Sequence, residues 1–283
     1  MDANFRHCAG LVQDAHHDAY LAALFAPAGK RAALFALYAF NIEVSRVRDL
    51  AREPMPGEIR LQWWRETILG ERADQAAANP VAAAFRETIA KHNLRSDIAA
   101  ALIAAHRFDI YDEPMPTLSE LQSYSAVTAG AVFTFAVEIL MGHARPIVAD
   151  LLGEAGQAFV IANILGQLPH HAARRQLYLP LETLRRHGAD PEDIFAMRAT
   201  PQLRAVLAEL RLRARQSLAR LGEVSSSISE DAWPAFLPLA PLRPWLATME
   251  RADYDPFQPP AMARWRRQWH IWWAAKSIRR IVG

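Results

Sequence analysis

The chain has 283 residues, 52% of them hydrophobic, with a formal net charge of +2 and a single cysteine. That apolar share builds a sizeable core and excludes general disorder, and the near-neutral balance excludes a nucleic-acid binder driven by overall charge. The lone Cys8 excludes an internal disulfide or a thiolate metal cluster and points to a reducing cytoplasm. Segment 1–17 carries no apolar signal core. No stretch is read as keeping about 18 apolar residues together, so no transmembrane helix is expected.

Apolar residues recur at helical spacing through almost the whole chain, and short polar or proline breaks divide them. The period predicts helices over Asp14 to Phe25, Lys30 to Arg52, Glu58 to Gly70, Val81 to His92 and Asp97 to Ile110. Thr117, three residues before Glu120, forms a capping box that opens a long apolar helix from Leu118 to Met141. Further helices are predicted over Ala149 to Leu168, where Pro169 stops the run, Glu182 to His187, Gln202 to Leu221 and Met262 to Val282. The run Ser225 to Ser229 is too short for a domain linker. The expectation is one all-α domain over 1–283.

Three segments carry side chains capable of chemistry. Asn41, Ser45 and Asp49 are spaced by four and share a helix face. Paired carboxylates at that spacing would hold magnesium, which takes oxygen ligands. Only Asp49 is acidic, and Arg46 and Arg48 oppose a divalent cation, so a polar helix edge is the plainer reading. Asn163, Gln167 and His171 repeat the spacing before Arg174 and Arg175. His170 and His171 lack a third metal ligand nearby and read as a surface pair, whereas the two arginines suit a phosphate or lipid head group. In segment 262–283, Trp265, Trp269, Trp272 and Trp273 form a stripe beside Arg264, Arg266, Arg267, Lys276, Arg279 and Arg280. Such a helix suits an anionic membrane surface, but tryptophans at this density favour burial in the core.

Taken together, Tyr20 to Asn41, Leu61 to Arg65 (LQWWR), Tyr124 to Gly130 (YSAVTAG) and Ala162 to Pro180 (ANIL…LYLP) resemble the squalene/phytoene synthase family. The resemblance covers about Asp18 to Phe257. It implies a terpenoid-synthase-like helical bundle around a central cavity, lined by Tyr38, Tyr124, Ala129 and Gly130. It also implies two Asp-x-x-x-Asp pairs that hold magnesium on a substrate diphosphate. Those pairs fall on Ser45 with Asp49 and on Gln167 with His171, so three of four acids are missing, and an arginine usual before the second pair is Gly166.

Three losses should abolish ionisation of an allylic diphosphate, because each costs transition-state stabilisation. The pattern is most similar to the non-catalytic branch of the family, which includes a mitochondrial assembly factor for respiratory complex I. The resemblance therefore implies a binding or assembly protein without a cofactor, taking an isoprenoid or other lipid, with a respiratory-complex partner and no nucleic acid. Its expected location is the cytoplasm or the inner face of a membrane, touched through 262–283. Arg31, Arg46, Arg48, Asn163, Arg174 and Arg175 are the expected head-group or diphosphate contacts. The competing expectation is an active magnesium-dependent enzyme condensing farnesyl or geranylgeranyl diphosphate to squalene or phytoene, with Glu43, Asp49 and Asp109 as substitute acids.

Overall fold

The computed structural model describes residues 2–51, 53–142, 146–223, 228–258, 262–277 and 281. Among these the chain is helical throughout, with no strand. The principal helices are α1 (Ala3–Ala15), α2 (His17–Leu24), α3 (Ala28–Ser45), α4 (Pro54–Leu69), α5 (Pro80–His92) and α6 (Ser96–Ala105). They are followed by α7 (Leu118–Met141), α8 (Pro146–Gly166), α9 (Leu168–Ala173), α10 (Pro201–Glu223), α11 (Leu242–Thr248) and α12 (Arg264–Ala274). The predicted residues Ser225, Arg279 and Arg280 lie outside the described ones.

Local chemistry sets several boundaries. Asn79 Oδ1 accepts from the amides of Val81 and Ala82 at 3.0 Å and starts α5, and Thr117 Oγ1 accepts from Glu120 N at 3.2 Å and starts α7. Gly70 ends α4 at φ 93°, where a residue with a Cβ is strained. Two predicted helices are broken: α1 and α2 divide at His16, and α3 stops at Ser45 before a short turn Val47–Leu50. Helix α1 was missed because its buried residues, Phe5, Cys8 and Val12, are too sparse to dominate a polar segment.

One hydrophobic core runs through the bundle. Helix α3 packs on α1, α5 and α7, while α8 packs on α7 and α10. Phe40 stacks on Phe85 at 4.2 Å between ring centroids, Phe135 meets Phe85 edge-on at 6.2 Å, and Trp64 meets Phe40 edge-on. Contrary to expectation, α7 is long and apolar enough to cross a membrane by length and composition. Its Phe133, Phe135, Val137 and Ile139 are spent on this core.

Helix α7 contains a wide π-turn at Ala126–Gly130, and there it meets α8 at closest approach. A Cβ on Gly156 would lie 2.5 Å from Gly130 N and 2.8 Å from Gly130 Cα, so the two backbones touch directly. Gly130 is therefore a helix-contact residue; it does not line the cavity as expected, because its open side is filled by α8. The turn also rotates Thr128 and Ala129 toward the interior.

Candidate functional site

Helices α3, α7 and α8 enclose a cavity of about 290 Å³, lined by Asn41, Ser45, Tyr124, Thr128, Asn163 and Gln167 among others. It continues into an apolar recess of about 50 Å³ against Tyr38, Ala129, Val132, Phe133 and Phe159. Residues distant in sequence thus converge: Ser45, Gln167 and His171, three of the four positions of the Asp-rich motifs, face one space. The fourth does not. Asp49 is exposed and ion-paired with Arg174.

The expected cationic head-group contacts are engaged elsewhere. Arg48 Nη2 lies 2.5 Å from Asp112 Oδ2, and Arg174 holds Asp49. Arg175 reaches Glu192 at 2.6 Å and stacks over Phe195. Arg31 donates to the Ala26 carbonyl at 2.9 Å, and Arg46 points to solvent outside the cavity lining. These ion pairs join segments far apart in sequence, which is why neighbouring residues gave no warning of them. Of the expected contacts only Asn163 lines the cavity.

The floor of the cavity is a polar cluster that motif reading did not assemble. Asp109 is 7% exposed, and three donors converge on it. Tyr178 Oη donates at 2.7 Å, Tyr124 Oη at 3.0 Å and His106 Nδ1 at 2.6 Å. Burial, reinforced by the Asp109 charge, pushes both phenols well above the usual tyrosine range, so they stay protonated and act as donors. The sequence named Asp109 only as a substitute acid and Tyr124 only as cavity lining; the i, i+3 spacing of His106 and Asp109 was the signal that could have joined the histidine to them.

The histidine pair splits. His170 is exposed, whereas His171 turns inward against the Tyr178 ring, 4.7 Å away, with its Nδ1 buried and unpartnered. Burial, assisted by the His170 charge, lowers the His171 pKa to about 4. A histidine that stays neutral in the fold but takes a proton when unfolded costs stability as pH falls. The loss begins near the unfolded value of about 6.5 and is complete below about 4; His16 and His92, also depressed by burial, act in the same direction. Urea midpoints should fall between pH 6.5 and 4, and His171→Gln should flatten that fall. An unchanged slope would refute the assignment.

The donor set does not fit a magnesium cluster. Magnesium takes carboxylates and water, yet Ser45, Gln167 and His171 stand where three carboxylates would be needed, and Asp49 is neutralised by Arg174. The substitutes fare no better: Asp109 is saturated by three donors, and Glu43 is not among the cavity-lining residues. Among the described residues, no group of three His, Cys, Asp or Glu side chains is placed to hold a metal. Gly166, where the family carries arginine, is filled by its neighbour. A Cβ there would sit 1.9 Å from Trp245 Cη2.

This architecture is the terpenoid-synthase fold. It is similar to the squalene synthase HpnC of Alicyclobacillus acidocaldarius, with a TM-score of 0.77 and 25% identity over 90% of this chain and 95% of that one. A dehydrosqualene synthase bound to a ligand shares the fold at a TM-score of 0.83, covering 96% of this chain and 95% of the other. The squalene/phytoene synthase profile matches residues 12–273, and the chain belongs to that family. It is 28% identical over 254 residues to complex I assembly factor 6 of Mus musculus, covering 89% of this chain and 76% of the other. It is 26% identical over 269 residues to a phytoene synthase of Arthrospira platensis, covering 88% and 84%.

Proposed function

We propose that the protein is a non-catalytic member of its family, a lipid-binding factor that serves respiratory complex I assembly at a membrane face. The observation that carries this reading is the fate of Asp49, the one acid left in the two motifs, which is exposed and ion-paired with Arg174. The Trp245 ring against Gly166 supports it. The likeness to complex I assembly factor 6 supports the assembly role.

Incubation with farnesyl or geranylgeranyl diphosphate and magnesium should release no pyrophosphate above background. Magnesium-dependent release with formation of squalene or phytoene would establish the condensing-enzyme reading instead. For the assembly role, deleting the gene in its source organism should deplete fully assembled complex I on native gels. Normal assembly would remove that role while leaving lipid binding open.

Membrane contact through α12 is part of the proposal and rests on its exposed tryptophans. The expected core packing is not found: Trp265, Trp269, Trp272 and Trp273 are 65%, 56%, 46% and 43% exposed. The helix is anchored by its other side, where Ile271 and Ala274 are buried and Arg267 Nε donates to Asp18 Oδ2 at 2.8 Å. Lys276 lies over the Trp272 ring at 4.1 Å, presenting cation and aromatic together. Burying one aromatic in lipid contributes about 1.5–3 kcal/mol. Trp269→Ala with Trp272→Ala should therefore cut co-flotation with anionic liposomes at least about ten-fold. Equal flotation of the double variant would exclude α12 as the contact.

A further inference from the structure

Away from the cavity, α10 and the turn after α11 border a second pocket of about 230 Å³. Arg204 and Arg211 line it from α10, and Glu250, Arg251 and Tyr254 line it from the turn. Positions 204, 211 and 215 are separated by seven and four, so three arginines share one face of α10. Arg243, on α11, is near enough to Arg215 for the two charges to repel.

The acids of this corner are already engaged. Glu250 pairs with Arg215 at 3.0 Å, Asp253 pairs with Arg251 at 2.9 Å, and Asp255 Oδ1 accepts from the Phe257 amide at 2.9 Å. Arg204, Arg211 and Arg243 are left without an ion pair among the described residues. Arg204 spends one of its five N–H groups on the Tyr254 carbonyl, at 2.7 Å. Arg211 is half-buried, and Arg243 Nε is buried with no hydrogen-bond partner. Burial holds both below the usual arginine range, and the Arg215 charge adds to the effect.

An arginine stem that merely covers the core keeps its head in water. Arg211 and Arg243 instead hold theirs partly dry and beside other cations, an arrangement that an anion offsets. Guanidinium groups present paired, coplanar N–H donors that match the oxygens of a phosphate. We propose that this pocket binds a phosphate-bearing anion, with Arg204 and Arg211 donating to its oxygens from α10 and Arg251 facing them across the pocket. A soluble phosphate ester and a phospholipid head group share that chemistry. The pocket has no lining residue in common with the cavity, so the inference stands independently of the lipid-binding reading.

The test titrates the full-length protein with inorganic phosphate, with glycerol 3-phosphate, and with phosphatidylcholine vesicles containing or lacking phosphatidic acid. Sodium chloride of matched ionic strength is the control, and calorimetry, melting temperature and vesicle flotation are the readouts. At least one phosphate should bind saturably and raise the melting temperature beyond chloride. Arg211→Gln should weaken that binding about ten-fold, the worth of one charge-assisted hydrogen bond. In chloride alone the same variant should melt no lower than wild type, because it removes a repelling cation. Where it melts lower, Arg204→Gln, at an exposed position, carries the same comparison. Binding of the soluble anions assigns a free phosphate ester. Binding of phosphatidic acid alone, weakened in Arg211→Gln, assigns a lipid head group. No gain over chloride with any probe, or equal binding of every probe by wild type and variant, overturns the site.

Discussion

Gly156→Ala should destabilise the protein by about 3 kcal/mol, at the upper end of what overpacking costs. The added methyl group would lie 2.5 Å from Gly130 N and 2.8 Å from both Gly130 Cα and Ser125 O. All three are backbone atoms, so no side-chain rotation relieves the clash and α7 must move away from α8. Gly153→Ala on the same helix is the control, since nothing lies within 4 Å of the Cβ it would introduce. There the higher helix propensity of alanine should make the change neutral or stabilising, by up to about 1 kcal/mol. Urea denaturation of the two variants decides the matter. Midpoints that coincide would show that α7 and α8 separate without cost.

Asp109→Ala should cost about 3–5 kcal/mol, the penalty for removing one partner of a buried charged network. The variant removes the acceptor shared by His106 Nδ1 and two tyrosine hydroxyls. Tyr178→Phe removes only one donor of three and should cost about 1–2 kcal/mol. The double variant should then fall short of the sum by about 1–2 kcal/mol, because the two groups share one contact. Additive losses, or a loss below about 1 kcal/mol for Asp109→Ala, would show that the carboxylate does not organise the floor of the cavity.

Much of the framework was legible in the sequence. Helical periodicity and the frame from Ala162 to Pro180 pointed to the bundle, and the motif positions Ser45, Gln167 and His171 do converge on one cavity. What periodicity could not supply was the pairing of charges across the fold. Arg48 with Asp112 and Arg174 with Asp49 are tertiary facts, and they turned expected ligand contacts into structural ones. The cluster around Asp109 was equally hidden, because it forms only where the fold brings His106, Tyr124 and Tyr178 together. In α12 the composition was plain, but which face the bundle covers depends on Asp18, a residue at the other end of the chain.

The Trp245 ring at Gly166 bears on how this chain can change with time. A side chain at position 166 collides with the indole where it now lies, so returning an arginine there requires the Trp245 ring to move or to shrink. Shrinking Trp245 alone opens a void beside α8, and a void in a packed interior is itself destabilising. Each carboxylate restored singly would face Arg174 still bound to Asp49, with no second acid to share a metal. The packing thus couples positions 166 and 245, so that a change at either one is constrained by the other.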